Sequence, residues 1–256
     1  MKIYVPRDAA ARGLGADDVA AAILAEAAKR GVTVDLVRNG SRGMVWLEPL
    51  VEVATDAGRL AFGPMTVADV PALFADLAQH PKALGLTEAL PWMAKQTRLT
   101  FARVGVIDPL SLADYEAHGG LAGLRRALVM DSAAIVAEVT DSGLRGRGGA
   151  GFPTGIKWKT VAEAKADRKY IVCNADEGDS GTFADRMLME GDPFTLIEGM
   201  AIAGIGTGAT KGFVYLRSEY PDAIEVMTAA VDIARKAGLL GPSVLGSGKA
   251  FDMEIR

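Results

Sequence analysis

The first 80 or so residues alternate between short strand-like and longer helix-like segments, as judged from the spacing of their hydrophobic positions. Strict alternation indicates strands, and hydrophobic positions three or four residues apart indicate helices. The pattern predicts, in chain order, a strand at Lys2–Val5, a helix from Gly15 to about Lys29, a strand at Val32–Val37, a hairpin of Leu50–Thr55 and Arg59–Phe62, and a helix over Val67–Gln79 capped by Thr66. This β-α-β-loop-β-β-α order predicts a small α/β domain over residues 1–80.

The rest of the chain shows the same two periodicities after a segment of mixed polarity at residues 81–103, which we interpret as a linker with a short helix. A strand is predicted at Arg98–Val106, followed by helices from Asp108, over Gly119–Val129 and over Ser132–Thr140. Later segments are predicted as a helix over Lys157–Ala166, a buried strand at Lys169–Cys173, a helix over Phe194–Gly204, a strand at Lys211–Leu216, a helix from Pro221 to Gly238 and a strand at Phe251–Ile255. Strand–helix–strand order implies parallel pairing with a right-handed crossover.

Composition narrows the class of protein. Half of the 256 residues are hydrophobic, so a sizeable core is available, and the net charge of −4 argues against nucleic-acid binding. No apolar stretch approaches the ~20 residues of a membrane span, and the N-terminus lacks the apolar segment of a signal peptide. We therefore expect a cytoplasmic protein without membrane insertion.

Cysteine and histidine are scarce. Cys173 is the single cysteine, so this chain alone can form neither a disulfide nor a cysteine-held iron–sulfur or zinc site. His80 and His118 lie in loop-like contexts, and we expect both to be surface residues. No metal site is predicted, and any redox chemistry must come from a bound organic cofactor or a partner.

The segment Gly143–Trp158 is the strongest local signal. Six of its sixteen residues are glycine, and Arg145, Arg147 and Lys157 add positive charge. Glycine allows main-chain N–H groups to approach a ligand closely, and converging N–H groups bind anions. The segment predicts a phosphate-binding loop; a flexible solvated turn is the alternative. Its G-x-G-x-x-G match follows a helix rather than a strand, which argues against a Rossmann dehydrogenase, and it lacks the G-K-[ST] ending of a nucleotide-hydrolysing loop.

An acidic loop follows the predicted strand at Lys169–Cys173. Asp176, Glu177 and Asp179 fall within four residues, and Asn174 precedes them. Carboxylates repel phosphate but accept hydrogen bonds from hydroxyl and ring N–H groups. A basic glycine loop and then an acidic loop at a strand end favour a nucleotide whose phosphate meets the first and whose sugar and ring meet the second. A calcium loop or a solvated acidic turn is the alternative.

The order of elements in residues 1–80 resembles the thioredoxin-like ferredoxin domain, in which four cysteines hold a [2Fe–2S] cluster. The corresponding loop here, Asn39–Trp46, contains no cysteine. The resemblance therefore implies the fold without the cluster, and we expect a structural or docking role. An unrelated small α/β domain is the alternative.

Four motifs resemble the flavoprotein subunit of respiratory NADH:quinone oxidoreductase and its relatives. They are Gly143–Trp158, Cys173–Glu177, Thr182–Arg186 and Ile197–Met200. The resemblance covers residues 104–256 and implies an α/β FMN- and NAD-binding domain. Together with the domain in front, the chain looks most like the β subunit of a molybdenum-containing, NAD-dependent formate dehydrogenase; the diaphorase subunit of an NAD-reducing hydrogenase, or of complex I, is the alternative.

The resemblance also implies roles for individual residues. The phosphate end of FMN would be held by Gly146, Arg147, Gly148, Gly149 and Lys157, and Gly151 would also be part of the cofactor site. The ribityl chain and ring edge would be bound by Asn174, Asp176 and Glu177, with Phe152 near the adenine of NAD and Asp179 near the nicotinamide. Hydride transfer between nicotinamide and flavin requires no protein acid or base, so no catalytic residue is predicted.

Family members continue beyond the point that corresponds to Arg256, with a second flavin loop and a domain that holds a [4Fe–4S] cluster. We therefore expect this chain to be the N-terminal part of a longer subunit, with that cluster only in the missing part. The implied partners are an iron–sulfur γ-type subunit and a molybdenum-containing catalytic α subunit. A non-catalytic assembly module is the alternative function.

Overall fold

The computed structural model describes every residue from Met1 to Arg256, and the chain folds as two compact units. The first unit contains Met1–Asp114 together with Arg186–Asp192, and the second contains Tyr115–Asp185 and Pro193–Arg256. Both units combine helices with strands, which confirms the predicted α/β class. The predicted domain boundaries, 1–80, 81–103 and 104–256, stay predictions.

The first unit is built on a five-stranded sheet. Its strands are β1 (Lys2–Tyr4), β2 (Asp35–Val37), β3 (Val51–Thr55), β4 (Gly58–Phe62) and β5 (Ala83–Leu86), and its helices are α1 (Ala9–Gly13), α2 (Ala16–Arg30), α3 (Val70–Leu73) and α4 (Pro91–Ala94). The strand order is β2-β1-β3-β4-β5, with β1 parallel to β2 and the other pairs antiparallel. This order is the one expected from a β-α-β unit followed by a hairpin; the thioredoxin-like assignment itself stays a prediction.

Both faces of this sheet are covered. Ile3, Val53 and Phe62 lie on the face that packs against Val19 and Ile23 of α2. Helix α2 begins after Gly15 and ends at Gly31, both at positive φ, with acidic residues in its first turn and basic residues in its last, as the helix dipole favours.

Charged groups close the other face. Glu52 is 1% exposed and accepts hydrogen bonds from the Arg42 guanidinium at 2.9 Å and from Arg59 Nη1 at 3.0 Å. The Arg59 guanidinium also lies 3.4 Å from the centre of the Tyr4 ring. Buried charges are tolerated when they are paired in this way, because each partner replaces the lost hydration of the other.

Glu48, close to Glu52 in the chain, is a second buried carboxyl group. Glu48 accepts hydrogen bonds from Ser41 Oγ at 2.6 Å and from the Leu50 N–H at 2.7 Å. Burial raises the pKa of Glu48 to about 8, and the charge of Asp8 adds to the rise. Burial likewise raises the pKa of Asp8 to about 6, against the opposing effect of Arg186.

Residues 186–192, distant in sequence, are part of the first unit. Glu190 accepts a hydrogen bond from the Ala9 N–H at 2.8 Å, and the buried Asp192 pairs with Arg103 at 2.8 Å. Gly40 and Gly191 lie so close that a Cβ on Gly40 would be 2.8 Å from the Gly191 Cα. Glycine is therefore required at position 40, where the two backbone segments come into contact.

Three expectations for the first unit were wrong. The predicted helix 67–79 begins at the expected cap, Thr66, but its helical run ends at Leu73, and a separate short turn, Leu77–Gln79, begins after Asp76. The predicted strand 98–106 forms turns. His80 is 4% exposed and packs on Phe62, accepting the Lys82 N–H; His118 is exposed as expected.

The second unit is built on a three-stranded sheet. The helices are α5 (Leu112–Ala117, which begins in the first unit), α6 (Ala122–Leu128), α7 (Ser132–Asp141), α8 (Thr154–Glu163), α9 (Ala184–Gly191, largely in the first unit), α10 (Pro193–Thr207) and α11 (Pro221–Lys236), and the strands are β6 (Tyr170–Ala175), β7 (Lys211–Leu216) and β8 (Asp252–Ile255). All three strands are parallel in the order β6-β7-β8, which confirms the predicted parallel pairing.

One face of this sheet is covered and the other is open. Gly212 and Val214 point towards the helices: a Cβ on Gly212 would lie 3.0 Å from the terminal methyl of Met200 in α10. On the opposite face Tyr170, Val172 and Tyr215 are 47%, 64% and 60% exposed. The expectation that Lys169–Cys173 is a buried strand was therefore wrong, because the run is apolar on both faces but only one is covered.

No helix of the structure combines the length and apolar character that a bilayer crossing requires.

Candidate functional site

The glycine-rich segment forms a closed loop that leads directly into α8. The Gly146 N–H donates to the Phe152 carbonyl and the Thr154 N–H donates to the Leu144 carbonyl, both at 2.9 Å. Gly149 and Gly151 have φ of +91° and +58°, a conformation that side chains oppose. A Cβ at either would project into open space, so it is the backbone angle that requires glycine there.

The three cations of this segment are held differently. Arg145 Nη1 donates to the Gly151 carbonyl at 2.6 Å, and Arg147 Nη1 donates to the Arg145 carbonyl at 2.7 Å, so both guanidinium groups brace the loop. Lys157, in the second turn of α8, is exposed and forms no ion pair; its Nζ lies 5.7 Å from the centre of the Phe152 ring. The ammonium group of Lys157 is therefore available to an anion at the start of α8.

A shallow apolar hollow adjoins this cation. It has a volume of about 370 Å³ and is lined by Phe152, Ile156, Lys157, Thr160 and Val161. Phe152 and Ile156 are 45% and 50% exposed. An exposed aromatic ring beside an ammonium group suits a flat, negatively charged ligand such as a nucleotide.

The acidic loop follows β6, and its polar side chains fall into two groups: those that are exposed and one that the protein holds in place. Asn174, Asp176 and Asp179 are exposed; Asn174 Oδ1 accepts the Asp176 N–H at 3.2 Å, and the carboxylates of Asp176 and Asp179 accept no hydrogen bond from this chain. These side chains are free to bind hydroxyl or N–H groups of a ligand.

Glu177 is instead fixed by the protein. Its carboxylate accepts the Asp185 N–H at 2.9 Å and the Tyr220 hydroxyl at 3.1 Å, and its carbonyl accepts Arg217 Nη1 at 2.6 Å. Its φ is +35°, in the left-handed region that non-glycine residues seldom adopt. This backbone strain is sustained by the three hydrogen bonds and sets the path of the loop.

Arg217 and Tyr220 were missed by sequence reasoning. They follow β7, whose last residue Leu216 is in register with Ala175 at the end of β6. The carboxyl ends of neighbouring parallel strands lie at one edge of a sheet, and ligands of open α/β sheets bind there. The polar segment that follows β7, which contains both residues, was the signal available in the sequence. In the structure both side chains contact Glu177 rather than standing apart from the acidic loop.

Two other groups that drew attention in the sequence have structural environments. Glu198, in the motif Ile197–Met200, accepts hydrogen bonds from the Tyr115 hydroxyl at 2.5 Å and from the N–H groups of Leu121 and Leu124, both at 2.8 Å, and so caps α6. Burial and the charge of Asp185 raise the pKa of Cys173 to about 11. Its thiol is therefore protonated and unreactive near neutral pH.

Comparison with known proteins finds a family model that matches nearly half of the chain. Residues 139–256 match the model of the Nuo51 FMN-binding domain. The NADP-reducing hydrogenase subunit HndC of Solidesulfovibrio fructosivorans is 54% identical over 162 residues, 63% of this chain and 33% of that protein. A subunit of the NADH-quinone oxidoreductase of Rhizobium meliloti (strain 1021) is 50% identical over 153 residues, 59% of this chain and 36% of that protein.

A solved structure of an NAD+-reducing NiFe hydrogenase in the H2-reduced state aligns with 99% of this chain and 42% of its own, at 26% identity and a TM-score of 0.48. The chain spans about a third of the length of the curated relatives it matches. The FMN-binding match agrees with the predicted cofactor, and both the glycine-rich loop and the acidic loop lie inside the matched residues. None of the relatives named here is a formate dehydrogenase.

Proposed function

We propose that residues 139–256 form part of an FMN site in a diaphorase-type subunit, and that the protein transfers hydride between NAD(H) and FMN. The observation that carries the proposal is the unpaired Lys157 ammonium beside the closed glycine loop at the start of α8, within the segment that matches an FMN-binding domain. The relatives that are named for NADH or NADP reactions support a nicotinamide partner.

The donor set fits FMN. A phosphate monoester needs cations and main-chain N–H donors, and the loop with Lys157 offers both. The ribityl hydroxyls and the ring N–H need acceptors, which Asn174, the open carboxylate of Asp176 and Glu177 would supply, with Asp179 near the nicotinamide. We assign Gly146, Arg147, Gly148, Gly149, Gly151 and Lys157 to the phosphate end. When bound, FMN supplies the exchange between two-electron hydride transfer and one-electron steps.

The protein's share of this chemistry is positioning. Glu177, held by Tyr220 and the Asp185 N–H, fixes the acidic loop, so that Asn174 and Asp176 present their polar atoms in one arrangement. Phe152 and the hollow beside it would take the adenine end of the nicotinamide nucleotide. Hydride transfer of this kind requires no side chain of the site to gain or lose a proton.

We further propose that the physiological enzyme is an NAD-dependent formate dehydrogenase, with this protein as its β subunit. The thioredoxin-like order of the first unit, its cysteine-free loop Asn39–Trp46 and the flavin motifs on the same chain support this assignment. Electrons would pass to or from iron–sulfur clusters, including one on a γ-type subunit, and formate would react on a molybdenum-containing α subunit. The identity to a hydrogenase subunit favours a hydrogenase diaphorase as the second candidate.

The FMN proposal is tested by titrating the chain with FMN and following the flavin absorbance. We expect saturable binding that weakens about ten-fold or more in Lys157→Ala, since a charge-assisted hydrogen bond to phosphate is lost. Lys159→Ala is the matched control, because Lys159 is an exposed lysine of the same helix that pairs with Glu163. Equal affinities for wild type and Lys157→Ala would contradict the assignment.

The choice of donor is tested in the complex isolated from the source organism with this protein as its tagged subunit. Reduction of an artificial acceptor by NADH but not NADPH is expected. Formate-dependent reduction of NAD supports the formate dehydrogenase assignment, whereas hydrogen-dependent reduction supports the second candidate.

A further inference from the structure

Two tryptophans form an exposed pair on the first unit. The ring centres of Trp46 and Trp92 are 5.3 Å apart and their planes are perpendicular, the edge-to-face arrangement that aromatic rings prefer. Trp46 is 59% exposed and Trp92 is 52% exposed. Their contact is therefore made at the surface, where roughly half of each large side chain still meets water.

The core of the unit does not need this pair. Met44, Leu50, Ala61 and Met93 form a closed cluster between the two tryptophan-bearing segments, and each of these side chains is at most 5% exposed. The tryptophans extend outward from residues adjacent to that cluster. Leu99, in the same segment as Trp92, is 84% exposed. Paired aromatic rings held rigidly at a surface are typical of the centres of protein–protein interfaces.

The surroundings of the pair carry positive charge. Between Ala89 and Arg98 the chain contains Lys95 and Arg98 and no acidic residue, although the whole chain has a net charge of −4; Arg103, further along, is neutralised by Asp192. Lys95 is exposed and Arg98 is half-buried, with its Nη1 buried and without a hydrogen-bond partner; neither side chain forms an ion pair. The carboxylates that act on Arg98, Glu88 and Glu52, are already bound to Arg42.

We propose that this surface, defined by Trp46, Trp92, Lys95, Arg98 and Leu99, docks a partner protein that presents apolar side chains flanked by carboxylates. The tryptophan pair supplies the apolar centre, and Lys95 and Arg98 supply the charges that an acidic partner complements. A second copy of this chain is disfavoured, because two such surfaces would bring like charges together. The proposal does not depend on the FMN site.

The test places a photo-crosslinking amino acid at position 46, and separately at 92, in the full chain produced in the source organism. The expected result is one common partner whose crosslinked peptide contains apolar residues next to Asp or Glu. The same substitution at Leu24, which is 48% exposed on α2 of the same unit, serves as the control and should not crosslink that partner. Crosslinks within this chain, to a second copy or to nucleic acid, or none at all, would overturn the proposal.

Affinity for the partner identified in this way gives the second readout. Trp46→Ala should weaken binding about 30-fold, as interface tryptophans do. Lys95→Glu, an exposed change that leaves the packing intact, should weaken it more at low salt than at high salt. Leu24→Ala should bind as the wild type does. Unchanged binding by both Trp46→Ala and Lys95→Glu would overturn the proposal even if a crosslink had formed.

Discussion

The sheets of the two units both pack helices against one face, and they differ in what lies on the other. In the first unit, Glu52, Arg42 and Arg59 close the second face with paired buried charges. In the second unit, the corresponding face of β6 and β7 leaves Val172 and Tyr215 largely exposed. The second arrangement is unusual, because parallel sheets are generally covered on both faces.

The connections explain the difference. The second sheet is laid down in one direction, β6-β7-β8, with a helical crossover between each pair of strands. Right-handed crossovers that advance in one direction place every helix on the same face. The first sheet reverses direction after β2, so later segments of the chain return across its second face. Coverage of a sheet thus depends on the path of the chain as well as on the polarity of its strands.

The largest effect is predicted for disruption of the buried ion pairs that cover the second face of the first sheet. Glu52→Gln removes the buried charge that neutralises Arg42, and we expect a loss of about 4 kcal/mol in the unfolding free energy of the first unit. Glu254→Gln is the matched control, because Glu254 pairs with Lys211 at 2.5 Å on the open face of the second sheet. That variant should show no measurable change. Hydrogen exchange with mass spectrometry reports each unit separately; equal effects of the two variants would contradict the comparison.

The covered face of the second sheet should resist added volume. A Cβ at Gly204 in α10 would lie 2.3 Å from the Phe251 ring, so Gly204→Ala is expected to cost about 3 kcal/mol. At Gly199, in the same helix, an added Cβ would have no atom within 4 Å, and Gly199→Ala should stabilise the unit by about 0.5–1 kcal/mol. Chemical denaturation, followed by hydrogen exchange of the β7 amides, measures the stability change of both variants. If Gly204→Ala left stability unchanged, the helices would be loosely packed on the covered face of the sheet.

The two faces of the second sheet can be compared with one substitution. Val214 is fully buried and Val172 is 64% exposed, in neighbouring strands. Val214→Ala should lower stability by about 2 kcal/mol, whereas Val172→Ala should change it by less than about 0.5 kcal/mol. The shift in the denaturation midpoint of each variant, relative to the wild type, measures the loss of stability. Similar losses at both positions would mean that the open face is covered in solution.

The pH dependence of the first unit should reflect its buried carboxyls. Because the folded pKa of Glu48 is about 8 against an ordinary value of 4.5, the folded state holds the proton more tightly. The contribution of Glu48 to stability is therefore full below about pH 4.5 and falls as pH rises towards 8, by at most ~1.4 kcal/mol per pH unit. Glu48→Gln should remove this fall between pH 6 and 8. Asp56→Asn, at the exposed hairpin turn, should retain it; a wild-type stability that does not fall over this range would contradict the assignment.

Local patterns predicted most of the elements and both loops of the candidate site. Helix α2 and the β3–β4 hairpin are specified by nearby caps, glycines and alternation, so they could be read from sequence. The burial of His80 and the exposure of Val172 depend on which distant segments pack there. Likewise, the restraint of Glu177 by Tyr220, 43 residues later, has no local signal.

The contribution of residues 186–192 to the first unit has a consequence for synthesis. The Ala9 N–H and the Arg103 guanidinium find their acceptors in Glu190 and Asp192. A growing chain therefore cannot complete its first unit when residue 114 leaves the ribosome, and must wait until residue 192 has emerged. Domains commonly fold in the order of their synthesis. Here the earlier unit is finished only after β6 and the acidic loop of the later one have been made.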